Sequence, residues 1–273
     1  MKILFQSLIE MNRTPAYFSG MKARCAAIAR AGVQVDFVGM PAGIYGQNVP
    51  SSMLRYPYVA AMTEQFILDN ALRAQAGGYD VFAIGSVQDP ALEQARALVD
   101  IPVVGYGESA MHFACCMGTR FAILVFERGF EQMMDLRIQR LGLTSRALPT
   151  KLIDADFNQV SRGLSDSTQI VEAFTDAARQ VIAQGAEAII PGQLYLSEAV
   201  IRAGLVRIDD VPVIDGLAAN IKMAEAMADL KALGISVTRR GYTYAHPPEE
   251  VIKHVRTVMN RDDVPSSPEN SVR

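Results

Sequence analysis

The chain has 273 residues, half of them hydrophobic and a fifth charged, with a formal net charge of −3. That length can bury a core as two small domains or one large α/β unit, and the charge gives no footprint for nucleic acid or an anionic membrane. No run approaches the ~20 apolar residues of a membrane span, and MKILFQSLIE lacks a signal peptide's long apolar region and cleavage site, so a cytoplasmic location is expected.

Short β-branched or aromatic runs ended by Gly, Pro or a polar residue predict strands near 2–6, 33–38, 80–85, 101–105, 121–126, 187–190 and 211–214. The intervening spacing predicts helices near 15–31, 59–76, 90–98, 109–117, 129–141, 167–184, 196–204, 216–233 and 248–259. Asp89–Pro90 reads as an N-cap followed by proline at the first helical position. The Gly/Pro-rich connection carrying Tyr45, Tyr56 and Tyr58 reads as an ordinary loop, with a lid as the alternative. The tail 261–273 is polar and Pro/Ser-rich, and disorder is expected there. Strand–helix alternation throughout argues for parallel sheets covered by helices on both faces.

Within this order one unit occurs twice. Residues 79–105 read YDVFAIGSVQDPALEQARALVDIPVVG, and residues 186–214 read AEAIIPGQLYLSEAVIRAGLVRIDDVPVI. Each is a strand, a glycine (Gly85 or Gly192), one polar residue (Ser86 or Gln193), a short helix and a second buried run. Two similar lobes are therefore expected to face each other, with Ser86 and Gln193 meeting across the cleft. In open α/β sheets ligands bind beyond the carboxyl ends of the strands, which selects loops 6–14, 86–90, 105–109 and 192–198. Helices starting just after these loops offer free N–H groups to a small anionic or amide-containing molecule. The three histidines show no ligand spacing, and Cys25, Cys115 and Cys116 read as core filler, so neither metal nor cofactor is expected.

The segments FAIGSVQDP, IPVVGYGESAMHFA, RFAILVFERG, AIIPGQLYLSEA and VPVIDGLAANIKMAEAM resemble the aspartate/glutamate/hydantoin racemase superfamily, most closely its hydantoin and allantoin branch. The resemblance implies two Rossmann-like lobes related by a pseudo-twofold repeat, with the active site in the cleft between them. It places the first lobe at 1–107 plus 217–260 and the second at 108–216. It also implies a cysteine after the glycine in each copy, one thiol on either side of the substrate carbon. Here those positions hold Ser86 and Gln193, and the three cysteines lie elsewhere.

That exchange removes the two-thiol route. A thiol can be tuned into a base, a serine hydroxyl needs a neighbouring base to become a nucleophile, and a glutamine amide only donates and accepts hydrogen bonds. The residues favour cysteine-independent hydrolysis of a small amide, cyclic amide or lactone. In that reading Ser86 is nucleophile or water-positioning group, Glu108 the general base, and Gln193 orients the carbonyl or water, while the resemblance implies that Tyr195 lies close to a position where some family members carry an acid/base residue. Ser7, Asn12, Val87, Gln88, Leu194 and His246 are the expected substrate contacts. An isomerase using non-thiol acid/base groups is the first alternative, and a non-catalytic binding protein the second. Apolar helix surfaces such as FILDNALRA and IKMAEAMADL suggest a homo-oligomer.

Overall fold

A computed structural model describes residues 1–261. Most of the expected tail lies outside the described residues. In chain order the elements are β1 (Lys2–Ser7), α1 (Pro15–Ile28), β2 (Gln34–Val38), α2 (Pro50–Leu54), α3 (Pro57–Ala76), β3 (Val81–Gly85), α4 (Leu92–Leu98), β4 (Val103–Gly105) and α5 (Tyr106–Met117). They continue with β5 (Phe121–Val125), α6 (Phe130–Arg140), β6 (Lys151–Leu152), α7 (Phe157–Arg162), α8 (Thr168–Ala183), β7 (Ala188–Pro191) and α9 (Leu194–Arg202). A hairpin of β8 (Arg207–Ile208) and β9 (Val211–Pro212) leads into α10 (Gly216–Ala232), and α11 (Glu249–Val258) follows.

Two parallel sheets result, ordered β2-β1-β3-β4 and β6-β5-β7. β3, β5 and β7 read as continuous apolar runs, as expected where helices cover both faces. In β1, Ile3 and Phe5 pack towards α1 and α10, while Leu4 joins Phe82 and Ile84 against α3 and α4. The first of these cores runs without a break through α5 and α10 into the second sheet. The fold is the expected pair of α/β lobes.

The two copies of the repeat occupy equivalent places. β3 leads through α4 to its parallel neighbour β4, and β7 leads through α9 to Val213, which forms a single parallel bridge with Ile189. The strand expected over 211–214 is thus reduced to that bridge. Pro212 has no N–H for a longer ladder, and Val211–Pro212 pairs instead with Arg207–Ile208.

Both repeat glycines are set by close approach. A Cβ on Gly85 would lie 2.2 Å from the Phe5 ring, and one on Gly192 would lie 2.7 Å from Val125 Cγ1. Gly85→Ala is therefore expected to cost about 1–3 kcal/mol through overpacking, read as a lower urea midpoint. An unchanged midpoint would show that Phe5 can turn aside.

The capping expectation at Asp89 is corrected. Helix α4 starts at Leu92 with Ala91 as its N-cap, and Asp89 itself has φ 48°. Its carboxylate accepts from Gly107 N at 2.8 Å and Glu108 N at 2.7 Å, so it caps α5. The N–H groups of that buried helix start need an acceptor, and Arg137 of α6 closes the group at 3.3 Å. Burial pushes the Asp89 carboxyl up to about 7, against the downward pull of Arg137 and the two N–H groups. The connection after Ser86 is thereby tied to both lobes. Among the described residues, no helix is long and apolar enough to cross a membrane.

Candidate active site

The loops after β1, β3, β5 and β7 converge on one cavity. The space in it that admits a water-sized sphere is only about 80 Å³, below the usual range of small-molecule sites, so it suits a compact molecule. Ser7, Ser86, Val87, Gln88, Gln193, Leu194 and Tyr195 all line it, so the two copies of the repeat do meet at a common space. Pro50, Ser51 and Leu54 of α2 also line it. Their connection is held down by Glu10, which accepts from Gly43 N and Tyr45 N, and by Tyr45, whose hydroxyl donates to Leu8 O at 2.9 Å. Tyr45 is thus a buried anchor, whereas Tyr56 and Tyr58 are exposed.

The other expected site residues lie elsewhere. Glu108 is absent from the cavity wall, and both its oxygens are taken by Arg96, one at 3.1 Å. The guanidinium holds Glu108 outside the cavity, away from Ser86. Asn12 is exposed and faces a neighbouring groove between α1 and β2. His246 is exposed, with Nδ1 2.9 Å from Ala97 O.

One wall is aromatic. Tyr17 of α1 stacks on Tyr195 of α9 with centroids 4.1 Å apart and planes at 15°. Phe157 leans on Tyr195 at 5.4 Å and on Phe126 at 6.3 Å, and Phe130 completes the surface. Tyr17, Phe126, Phe130 and Phe157 are not among the site residues expected from the sequence. For Phe157 a local signal existed: Asp156 and Gln159 form a reciprocal capping box that starts α7. Burial raises the Tyr195 phenol above its usual range, so it keeps its proton at neutral pH.

The polar groups are amides and hydroxyls. Gln193 Oε1 accepts from Phe126 N at 3.3 Å, while its Nε2 is buried without a protein partner. The same holds for Gln88 Nε2. Ser7 Oγ is occupied by Ile9 N at 3.1 Å. Among the described residues, no charged side chain, imidazole or thiol lines the cavity. No group of His, Cys, Asp and Glu side chains among them could hold a metal.

The geometry can therefore take a small, uncharged, partly apolar molecule and offer two amide N–H donors to its carbonyl oxygens. The family model described as Asp/Glu/Hydantoin racemase matches residues 7–224. A hydantoin racemase from Pseudomonas sp. (strain NS671) is 27% identical over 245 residues, covering 88% of this chain and 90% of that protein. One from Rhizobium meliloti is 31% identical over 195 residues, covering 68% and 74%. Among solved structures, an allantoin racemase from Klebsiella pneumoniae superposes with a TM-score of 0.73 at 25% identity, covering 91% of this chain and 94% of that one.

Proposed function

The chain belongs to the Asp/Glu/hydantoin racemase family, and on that footing we propose that it is an isomerase acting on a neutral cyclic amide of the hydantoin type. The observation that carries this reading is the pair of buried, unpartnered amide donors, Gln88 Nε2 and Gln193 Nε2, in a cavity without charged lining. A free carboxylate substrate would find no cationic side chain there. The two lone pairs of a carbonyl oxygen can accept from both donors, and the aromatic wall suits an apolar ring substituent.

The reaction is removal and return of the proton on the carbon next to a carbonyl. As the C–H bond breaks, negative charge moves onto the carbonyl oxygen, where preorganised donors stabilise it more than they stabilise the ground state. Gln193 and Gln88 supply those donors, Ser86 contributes a binding hydroxyl, and the protonated Tyr195 phenol gives a proton back. Hydrolysis through Ser86 loses its premise, because the base assigned to it is held by Arg96 away from the cavity.

The experiment uses 5-benzylhydantoin in deuterated water, followed by proton NMR and optical rotation. The expected result is loss of the C5 proton signal and of rotation, with the ring intact. Ring opening with solvent oxygen in the product would restore the hydrolytic reading. Iodoacetamide is expected to leave turnover unchanged although it labels exposed Cys116. Cys25 is buried and its thiol is pushed up to about 12, chiefly by burial, and no thiol among the described residues reaches the cavity. Inactivation by the reagent would show that a cysteine takes part.

A further inference from the structure

An isomerase of this kind needs a proton acceptor, and the carboxylates around the cavity are mostly committed. Glu108 is held by Arg96, Glu198 by Arg24, and Asp89 by Arg137 and two backbone N–H groups. Glu10 accepts from Gly43 N and Tyr45 N. Glu127 differs. It lies two residues beyond β5 on the second lobe, and its Oε2 accepts from Ser51 Oγ of α2, on the first lobe, at 3.0 Å. Ser51 lines the cavity, as does Phe126 beside Glu127. Among the described residues, this is the one direct hydrogen bond between a carboxylate and a side chain of the cavity wall.

We propose that Ser51 is the proton acceptor of the reaction and that Glu127 acts through it as its positioning and charge-bearing partner. This rests on the reading of the site as that of an isomerase. The C–H bond breaks and its electron pair stays in the ring as the enolate. The proton passes to Ser51 Oγ while the hydroxyl proton of Ser51 passes to Glu127 Oε2. Ser51 ends as it began, and Glu127 ends protonated. Return along the same path restores the starting enantiomer, and a proton from the Tyr195 hydroxyl gives the other. Glu127 then releases its proton to water and Tyr195 regains one, so no oxidant or co-reactant is needed. The pair joins residues from both lobes, so the acceptor is complete only with the α2 connection folded over the cleft.

The test compares wild type, Glu127→Gln, Glu127→Asp, Ser51→Ala and the Ser51→Ala/Glu127→Gln double variant, by C5 deuterium exchange of 5-benzylhydantoin. Glu127→Gln and Ser51→Ala are each expected to lower kcat by roughly 10²–10⁴-fold, the usual worth of a positioned base. Their KM should stay within about threefold of wild type, because the interaction lost is made in the transition state. The double variant should be no slower than the slower single one, since the two side chains act as a unit. Glu127→Asp should retain part of the rate. Unchanged kcat in Glu127→Gln, or losses that multiply in the double variant, would overturn the relay alone. Absence of exchange above the buffer rate in wild type would overturn the isomerase reading and the relay with it.

Discussion

Arg24→Ala is expected to lower the unfolding free energy by about 3–5 kcal/mol near neutral pH, the range for removing one partner of a buried ion pair. Arg24 leaves α1 and pairs with Glu198 of α9 and with Asp215, whose carboxylate caps α10 through Leu217 N and Ala218 N at 3.1 Å. Glu198 is fully buried, and its Oε2 has no partner. Burial holds the Glu198 carboxyl above the usual range, while Arg24 pulls it down and Asp215 pushes it up. Without Arg24 the value rises further, and the residue takes up a proton in the folded state.

The pH dependence follows from that direction. A carboxyl whose folded pKa exceeds its unfolded value, about 4.3 for Glu, contributes stability that is fully present below the unfolded value. That contribution is lost as pH rises through the folded value. In Arg24→Ala the folded value is higher than in wild type, so the deficit should widen between about pH 5 and about pH 8. Urea unfolding at both pH values measures it. Equal deficits would mean that packing of the Arg24 stem, rather than its charge, is what the variant loses. Arg24→Lys should recover part of the loss, because one ammonium cannot replace a fork that reaches two carboxylates. The consequence extends to the cavity, since α1 carries both Arg24 and Tyr17. Loosening the Arg24 anchor should slacken the Tyr17–Tyr195 stack and raise KM.

The strand–glycine–polar repeat was legible because each copy is local. A buried run, a glycine forced by close approach and a following helix fall within 30 consecutive residues, and they led directly to the common cavity of Ser86 and Gln193. Glu108 misled because its position at a helix start beyond a strand says nothing about Arg96, which claims it from a different helix. Ser51 and Glu127 were invisible for a related reason. They are 76 residues apart and on different lobes, so no spacing rule connects them, and the connection holding Ser51 offered only its tyrosines as a signal. The aromatic wall likewise draws Tyr17, Phe157 and Tyr195 from three separate helices and Phe126 from the residue after β5. What local patterning supplies is the address of the site; the wall itself is drawn from distant parts of the chain.

Gln193→Leu is expected to reduce kcat by roughly 10²–10³-fold, the effect of deleting one preorganised donor to a developing oxyanion. Gln193 stands where the family resemblance places a thiol, yet its amide cannot take a proton from carbon. It holds itself in place by accepting from Phe126 N, which leaves Nε2 free to donate. Leucine removes both roles, so part of any loss could come from the unsatisfied Phe126 N–H, a cost of about 1–3 kcal/mol in stability. Gln193→Glu separates them, because it retains an acceptor for Phe126 and replaces the donor with oxygen. Rates and urea midpoints of both variants should therefore diverge: Gln193→Glu stays closer to wild type in stability but loses kcat as Gln193→Leu does. If Gln193→Glu kept full kcat, Nε2 would not be a donor to the enolate. Charge stabilisation would then fall to Gln88 and the backbone N–H groups at the start of α9.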